Sequence, residues 1–439
     1  MVEKTRNEEL GREEVQDKPR TYWYYVKRQF KKNRLAVWAL RSVYFLIFIA
    51  IFADFIANEK PIVMKYKDKI YFPIFREYLY NFFNIPFPDE LRNIPSWRDI
   101  QYDWAVFPPI PYSPQNIDLY NVLVGPFDKQ DVPSVRWRHW LGTDDLGRDI
   151  AAGLIHATRI ALSVGIVSMG IAAIIGILLG SLAGYFGDDT LRASRASIIF
   201  GIIMLVLGYF YAIEVRKYVI IDSLKESVIN FVIQLFISAG IFLGFLFLAW
   251  VLARPFKKVK WLGDRVFLPM DMLVSRLIEV IVTIPSLFLI VAIVAIAEPS
   301  LFLVMAVIGL TGWTGIARFI RAELLRIRNL QYIEAARSLG FPHRKILLRH
   351  AIPNALTPVL ISIAFGIASA ILTESTLSFL GLGVPPDTVT WGSILSLSRK
   401  YPESWWLAIF PGSAIFITVT LFNLIGEGLI YALDPRFKR

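Results

Sequence analysis

The residue types that most enzymes and metal sites need are scarce in this chain. It has no cysteine and four histidines, which excludes disulfides, thiolate chemistry and Cys-based metal sites and leaves little for a His-rich metal centre. No GxxxxGK[ST] pattern occurs, and even the dipeptide Gly-Lys is missing. Because a phosphate-cradling loop is therefore absent, we expect no bound cofactor here and expect any ATP hydrolysis to come from another subunit.

A basic segment at 318–358 has the spacing that points most directly to a mechanism. Phe319–Leu339 is predicted to be an amphipathic helix, and Gly340 supplies the left-handed residue that ends it. A second short helix is predicted at His343–His350, carrying basic side chains on one face. The expected product is a rigid helix–turn–helix with Glu334 on its first arm.

The rest of the chain must hold this segment at a membrane. Of its 439 residues 55% are hydrophobic and only 19% are charged, with a mean hydropathy of +0.50, whereas about a quarter of a soluble domain is charged. A helix that crosses the bilayer needs roughly 20 apolar residues. Eight predicted spans follow: 35–57, 160–186, 197–213, 228–253, 280–297, 299–317, 351–373 and 405–426. The first, which carries Arg41 and Asp54, and the short third could instead lie at the interface.

Charge counting gives the orientation. With the N-terminus inside, the cytoplasmic segments carry 24 Lys and Arg and the short outer segments carry five, the long loop at 58–159 being left out. Both termini are therefore predicted to be cytoplasmic. The same rule offers a plainer interpretation of 318–350, as a basic hairpin with no further role.

Few acidic residues lie near the predicted spans, and these are the residues that a proton relay through the membrane would need. Arg276 and Glu279 are three residues apart and could pair on one helix face, and we place them, with Asp271 and Glu427, at the interface rather than in a proton relay. The residues proposed for an outer gate or a pathway wall are Glu374, Ser378 and Trp391.

The segment EAARSLG at 334–340, followed by Ile352-Pro353, resembles the EAA loop of binding-protein-dependent ABC-importer permeases. His350 stands where that family usually has Ile, and Ile352 where it has Leu. In the family this loop docks on the ATP-hydrolysing subunit. The resemblance thus implies an ATPase-coupling loop at 318–350 built on Glu334, Ala335, Ala336, Gly340, Arg344, Ile346 and Pro353.

Three further blocks, at 140–165, 374–395 and 422–439, resemble the dipeptide, oligopeptide and nickel branch of the family, and specifically its C-type subunit. The outer loop is most similar to that of permeases for oligopeptides and for peptide–nucleotide antibiotics such as microcin C. The chain departs from relatives at 188–266, which adds two apolar runs after Gly187. We interpret this insertion as a peripheral packing element, with a partner site as the alternative.

The predicted fold is an all-α polytopic membrane protein, a type I ABC importer transmembrane domain with six core helices, an inserted two-helix hairpin and a small extracytoplasmic cap. The predicted organisation is a cytoplasmic tail with an interfacial helix at 1–34, a first span at 35–57, a cap at 58–159, core segments at 160–186 and 267–432, a hairpin at 188–266 and a cytoplasmic tail at 433–439.

The resemblance implies a non-enzymatic permease subunit in the bacterial inner membrane that forms half of a peptide pathway. Its expected partners are a second, non-identical permease, one or two ATP-binding cassette subunits, an extracytoplasmic substrate-binding protein and membrane lipid, but no nucleic acid. An ion-coupled secondary transporter remains the alternative. That class would show internal repeats with broken helices, and no block of this sequence recurs.

Overall fold

The computed structural model describes residues 22–83, 88, 91, 97, 98, 100–226, 228–296 and 298–433. Seven of its helices are long and apolar enough to cross a membrane, or eight if one bent pair counts as a span. The polytopic helical architecture predicted from the sequence is confirmed. The predicted cytoplasmic segments 1–21 and 434–439 lie outside the described residues.

The chain enters the fold through a surface helix and a first span. These are α1 (Tyr22–Phe30) and α2 (Arg34–Ile51), followed by the short α3 (Ala53–Ile56). Asn33 begins α2, because its side-chain oxygen accepts a hydrogen bond from the N–H of Ala36 at 3.1 Å.

The outer loop folds into a cap with a three-stranded antiparallel sheet, an element that the all-helical prediction lacked. Its strands are β1 (Val63–Tyr66), β2 (Lys69–Tyr71) and β3 (Trp104–Val106) in the order β2-β1-β3, with α4 (Pro73–Phe83) beside them. The β1–β2 turn places Lys67 and Asp68 at positive φ, as a tight hairpin requires. Met64, Leu91 and Trp97 form the core of the cap.

The first core helix, α5 (Ile150–Ser181), continues as a wide turn over Leu182–Phe186. It begins ten residues before the predicted span, because the Asp149 side chain caps it by accepting from the N–H of Ala152 at 2.7 Å. The 188–266 insertion comes next, with β4 (Arg192–Ser194), α6 (Arg195–Tyr209), α7 (Lys217–Glu226), α8 (Val228–Phe256), α9 (Lys260–Gly263) and β5 (Arg265–Phe267). Strands β4 and β5 pair antiparallel and close its base.

The predicted span at 280–297 is wrong in one respect, because the chain breaks inside it. Helices α10 (Met270–Thr283) and α11 (Ser286–Ile296) meet at an angle of 76°. Pro285 lies at the bend, and the preceding Ile284 is extended, as residues before proline favour.

The predicted single helix Phe319–Leu339 is also wrong. Helix α12 (Leu301–Ile327) crosses the membrane and stops, and α13 (Gln331–Ser338) begins after Leu330, whose backbone is extended. The remaining elements are α14 (His343–Ile346), a wide turn at Leu347–Ala351, α15 (Ile352–Ala355), α16 (Thr357–Phe379), α17 (Trp391–Leu397) and α18 (Trp406–Leu433).

Helices α5 and α12 form the centre of the fold. Three glycines four residues apart face α12, two of them on α5 and the third in the turn that ends it. A Cβ atom added at Gly176 would lie 2.7 Å from Ile316. Added at Gly180 or Gly184, it would lie 2.6 Å from the carbonyl oxygen of Ala317 or Arg321, respectively. Any larger residue would push the backbones apart. Small residues at this four-residue spacing permit such close packing between helices in a membrane.

Candidate functional site

The helix–turn–helix predicted around Glu334 is present, and we call residues 331–350 the elbow. Its turn is a Schellman motif: the N–H of Gly340 donates to the Arg337 carbonyl at 2.9 Å, and the N–H of Phe341 donates to that of Ala336 at 3.1 Å. Gly340 adopts φ of +75°, the left-handed conformation expected from the sequence. A Cβ there would meet no atom within 4 Å, so backbone conformation alone restricts this position.

The predicted coupling residues divide into two groups. Ala336 and Ile346 are buried, and with Ile333 they pack the elbow against the C-terminal end of α12. The others are exposed, namely Glu334, Ala335, Gly340, Arg344 and Pro353. The elbow therefore has an inner face joined to the core and an outer face that is free, on which Leu339 and Leu348 are 74% and 56% exposed.

Tyr185, which sequence reasoning missed, ties the elbow to a second core helix. It lies in the wide turn that ends α5 and is only 1% exposed. Its hydroxyl is 3.2 Å from Nδ1 of His343, and the Arg337 guanidinium lies 5.6 Å from its ring centroid. The GYFG sequence at 184–187 was the available signal, but only the fold brings it beside residues 337 and 343.

An ion pair fixes the same end of the core. Arg321 on α12 binds Asp271 on α10 with two hydrogen bonds, one of them 2.8 Å long from Nη2 to Oδ2. The predicted Arg276–Glu279 pair is confirmed, with 2.7 Å between its atoms on an exposed helix face. In the described part of the chain, no cluster of three or more His, Asp or Glu could hold a metal ion.

The three residues proposed for an outer gate or pathway lie together inside the helix packing. Glu374 is 1% exposed and accepts a 2.6 Å hydrogen bond from the Ser378 hydroxyl. Trp391, also buried, donates from Nε1 to the Leu154 carbonyl at 3.1 Å. In this structure they join α16, α17 and α5, and their assignment to a pathway stays a prediction.

A groove of about 400 Å³ opens at membrane depth between the α10–α11 bend, α12 and α16. Six hydroxyl residues line it: Ser286, Thr311, Thr314, Ser362, Ser369 and Thr373. Three of these hydroxyls donate to carbonyls of their own helices, those of Thr311, Ser362 and Thr373. Among the residues described, no Asp, Glu, Lys, Arg or His lines this groove.

A charged cluster joins the cap to the adjoining end of the core. Arg159 of α5 donates to the Ala50 carbonyl at 2.8 Å and to Oδ2 of Asp54 at 2.7 Å, so it caps α2, and Tyr78 of the cap hydrogen-bonds the same carboxylate. Burial favours a higher pKa for Asp54, but the bonds from Tyr78 and Arg159 outweigh it and lower that pKa. Burial, with the bond to Asp54, raises the pKa of Tyr78 to about 12.

Two segments of this chain match known protein families. Residues 246–439 match the binding-protein-dependent transport system inner membrane component, and residues 21–73 match the N-terminal transmembrane domain of oligopeptide transport permease C. The peptidoglycan transport system permease protein YejE of Agrobacterium fabrum is 26% identical, over 95% of this chain and 96% of its own length.

Two further relatives have similar descriptions. The inner membrane ABC transporter permease protein YejE of Escherichia coli is 26% identical, over 93% of this chain and 95% of its own length. The dipeptide transport system permease protein DppC of Alkalihalophilus pseudofirmus is 28% identical, over 68% of this chain and 73% of its own length.

Replacing Tyr185 should loosen the elbow. Tyr185→Ala removes the ring between Arg337 and His343, and truncating a buried aromatic costs about 3 kcal/mol or more. We expect amide hydrogen exchange at 331–346 to accelerate by about 100-fold or more, since 1.4 kcal/mol corresponds to a factor of ten. Tyr185→Phe keeps the ring and should show a smaller increase. Unchanged exchange in Tyr185→Ala, with the α6–α8 hairpin as internal reference, would contradict this role.

Proposed function

We propose that this chain, whose residues 246–439 match the binding-protein-dependent transport system inner membrane component, is one of two permease subunits of an ATP-driven importer. The observation that carries the proposal is the elbow, which combines an exposed outer face with an inner face packed on α12. A partner that pushes on residues 334–344 would therefore move a membrane-spanning helix. The chain itself works as a multi-pass membrane permease and takes no part in hydrolysis.

The ATP would be bound and hydrolysed by one or two cassette subunits docked on the elbow, because this sequence lacks a phosphate-binding loop. Closure of those subunits would move the elbow, and α12 and α5 would carry the movement across the bilayer. Both termini would then lie in the cytoplasm, as the excess of Lys and Arg in the segments on that side predicts.

Peptides are the substrate class we propose. Relatives of this chain are described as dipeptide, oligopeptide and peptidoglycan transport permeases. A soluble binding protein would deliver the peptide to the outer face, and a second, non-identical permease would complete the pathway. The ion-coupled alternative needs titratable groups along the pathway, and the described wall of the membrane groove has none.

The groove is this chain's proposed contribution to the pathway wall. It runs along α12, which leads into the elbow, and along α16, which comes after the elbow. Movement of the elbow would therefore change the shape of the groove. Its hydroxyl oxygens keep free lone pairs after donating to their own helices, and these could accept hydrogen bonds from peptide N–H groups. An uncharged wall would pass acidic and basic peptides alike.

Reversing the charge of Glu334 should uncouple ATP hydrolysis by the cassette subunits from peptide transport by the permease. Glu334→Lys changes an exposed side chain on the first turn of α13, so the chain should still insert and fold. In proteoliposomes with its partners we expect peptide uptake and peptide-stimulated ATP hydrolysis to fall at least tenfold. Asp264→Lys, the same charge change in the insertion, is the control and should keep both. Normal peptide uptake by Glu334→Lys would contradict the proposed docking of the cassette subunits on the elbow.

The turn of the elbow offers a matched pair of variants. Gly340→Asn should retain most uptake, because Asn tolerates positive φ, whereas Gly340→Pro should abolish it, because proline fixes φ near −65°. The ratio of peptide transported to ATP hydrolysed is the measurement. Equal ratios for the two variants would mean that the shape of this turn is irrelevant to coupling.

The groove can be narrowed without disturbing its walls. A Cβ at Gly315 would point into open space, so Gly315→Leu should fill the groove and reduce uptake at least tenfold while cassette binding and basal ATP hydrolysis persist. Gly244→Leu places the same side chain in equally open space on the hairpin and should have no effect. Full uptake by Gly315→Leu would exclude this groove from the pathway.

A further inference from the structure

The cap contains a second cavity, of about 470 Å³, that is partly open to solvent and separate from the membrane groove. This volume is within the range that small-ligand sites occupy. Its walls combine aromatic rings with groups of both charges: Trp97, Tyr112 and Trp137, and Glu59, Arg98 and Asp118. Nothing in the proposed import mechanism so far uses it.

Arg98 is the side chain in this cavity that lacks an opposite charge. Its guanidinium lies 4.7 Å from the centroid of the Trp137 ring, and among the residues that the structure describes no carboxylate pairs with it. It is half-buried, so water screens it incompletely. A guanidinium held over an indole can receive a planar carboxylate through two parallel hydrogen bonds.

The indole under Arg98 is itself held in place. The Tyr112 hydroxyl donates to the Trp137 carbonyl at 2.6 Å, and the rings of Tyr112 and Phe107 meet the Trp137 ring edge-on, with centroids 6.1 Å and 5.6 Å away. Burial raises the pKa of Tyr112, so its phenol stays neutral and keeps donating. The guanidinium is therefore positioned before any ligand arrives.

The carboxylates of the cavity narrow the ligand class. Glu59 accepts one hydrogen bond, from Asn116 Nδ2 at 2.7 Å, and keeps acceptor capacity for an ammonium group. Glu59 and Asp118 would repel a phosphate dianion, whereas a molecule carrying one carboxylate and one amine suits all three charges. The aromatic walls add apolar contact for a side chain.

The cavity is also connected to the membrane core. Asp118 lies 3.4 Å from Nε2 of the fully buried His139, whose Nδ1 lies 2.8 Å from Asp149. Asp149 is the residue that caps α5. A ligand beside Asp118 would therefore lie two side chains away from the start of the first core helix.

We infer that the cap binds the free carboxyl terminus of a short peptide through Arg98 on its Trp137 platform. This inference rests on the proposed import function for its choice of peptides, although the binding itself requires no ATPase. The site would act before translocation and would distinguish peptides with a free terminus from those whose terminus is blocked.

The test uses the full chain in lipid nanodiscs and two probes, tri-alanine and its C-terminal amide, with affinity read by calorimetry and by tryptophan fluorescence. Tri-alanine should bind at least tenfold more tightly than its amide. Arg98→Gln should remove that difference, and Arg98→Lys should keep part of it. Arg136→Gln, which removes a neighbouring cap cation stacked on Phe107 and outside the cavity, should change nothing.

Equal affinity for the two probes, or an equal loss in Arg136→Gln, would overturn the site. If Arg98→Gln leaves tri-alanine binding intact and instead abolishes stimulation by a binding protein, the cavity is a protein-docking point and the inference is also overturned. Failure of the import function would look different: tri-alanine would still bind the cap, but Glu334→Lys would leave peptide uptake unchanged.

Discussion

The close contact between α5 and α12 is the constraint on which the rest of the structure depends. Gly176, Gly180 and Gly184 let the two backbones meet over about two turns, with α12 atoms occupying the space that side chains would need. In lipid, where apolar burial offers little driving force between helices, such packing supplies much of the association. The pair can therefore move as one unit, and both functional regions are attached to it.

Helix α12 links those regions because of its length. Its 27 residues span about 40 Å, which exceeds the hydrocarbon core by about 10 Å. Its middle lines the groove with Thr311 and Thr314, and its C-terminal end packs against Ile333 of the elbow. Tyr185 adds a second attachment, from α5, so the elbow rests on both members of the central pair. In the proposed mechanism, a push on the elbow would reach the groove wall through these packed helices.

The sequence predicted those features that depend on local composition. Apolar length predicted the spans, and the lone Gly340 predicted the turn of the elbow. It failed where the deciding interaction is between distant segments: Tyr185 meets His343 across 158 positions, and the cap sheet pairs Val63 with Val106. The 76° bend had a local signal in Pro285, but the surrounding apolar run concealed it.

The 188–266 insertion joins the core through a narrow base. It leaves and returns through the β4–β5 ribbon, where Arg192 pairs with Phe267, so its two ends lie side by side. Its long helices pack on each other, with Gly208 against Phe242 and Phe245. An even number of added spans also preserves the sidedness of everything downstream. Because the ribbon closes before α10 begins, the insertion returns to the core beside the point where it left, and its long helices keep most of their surface exposed.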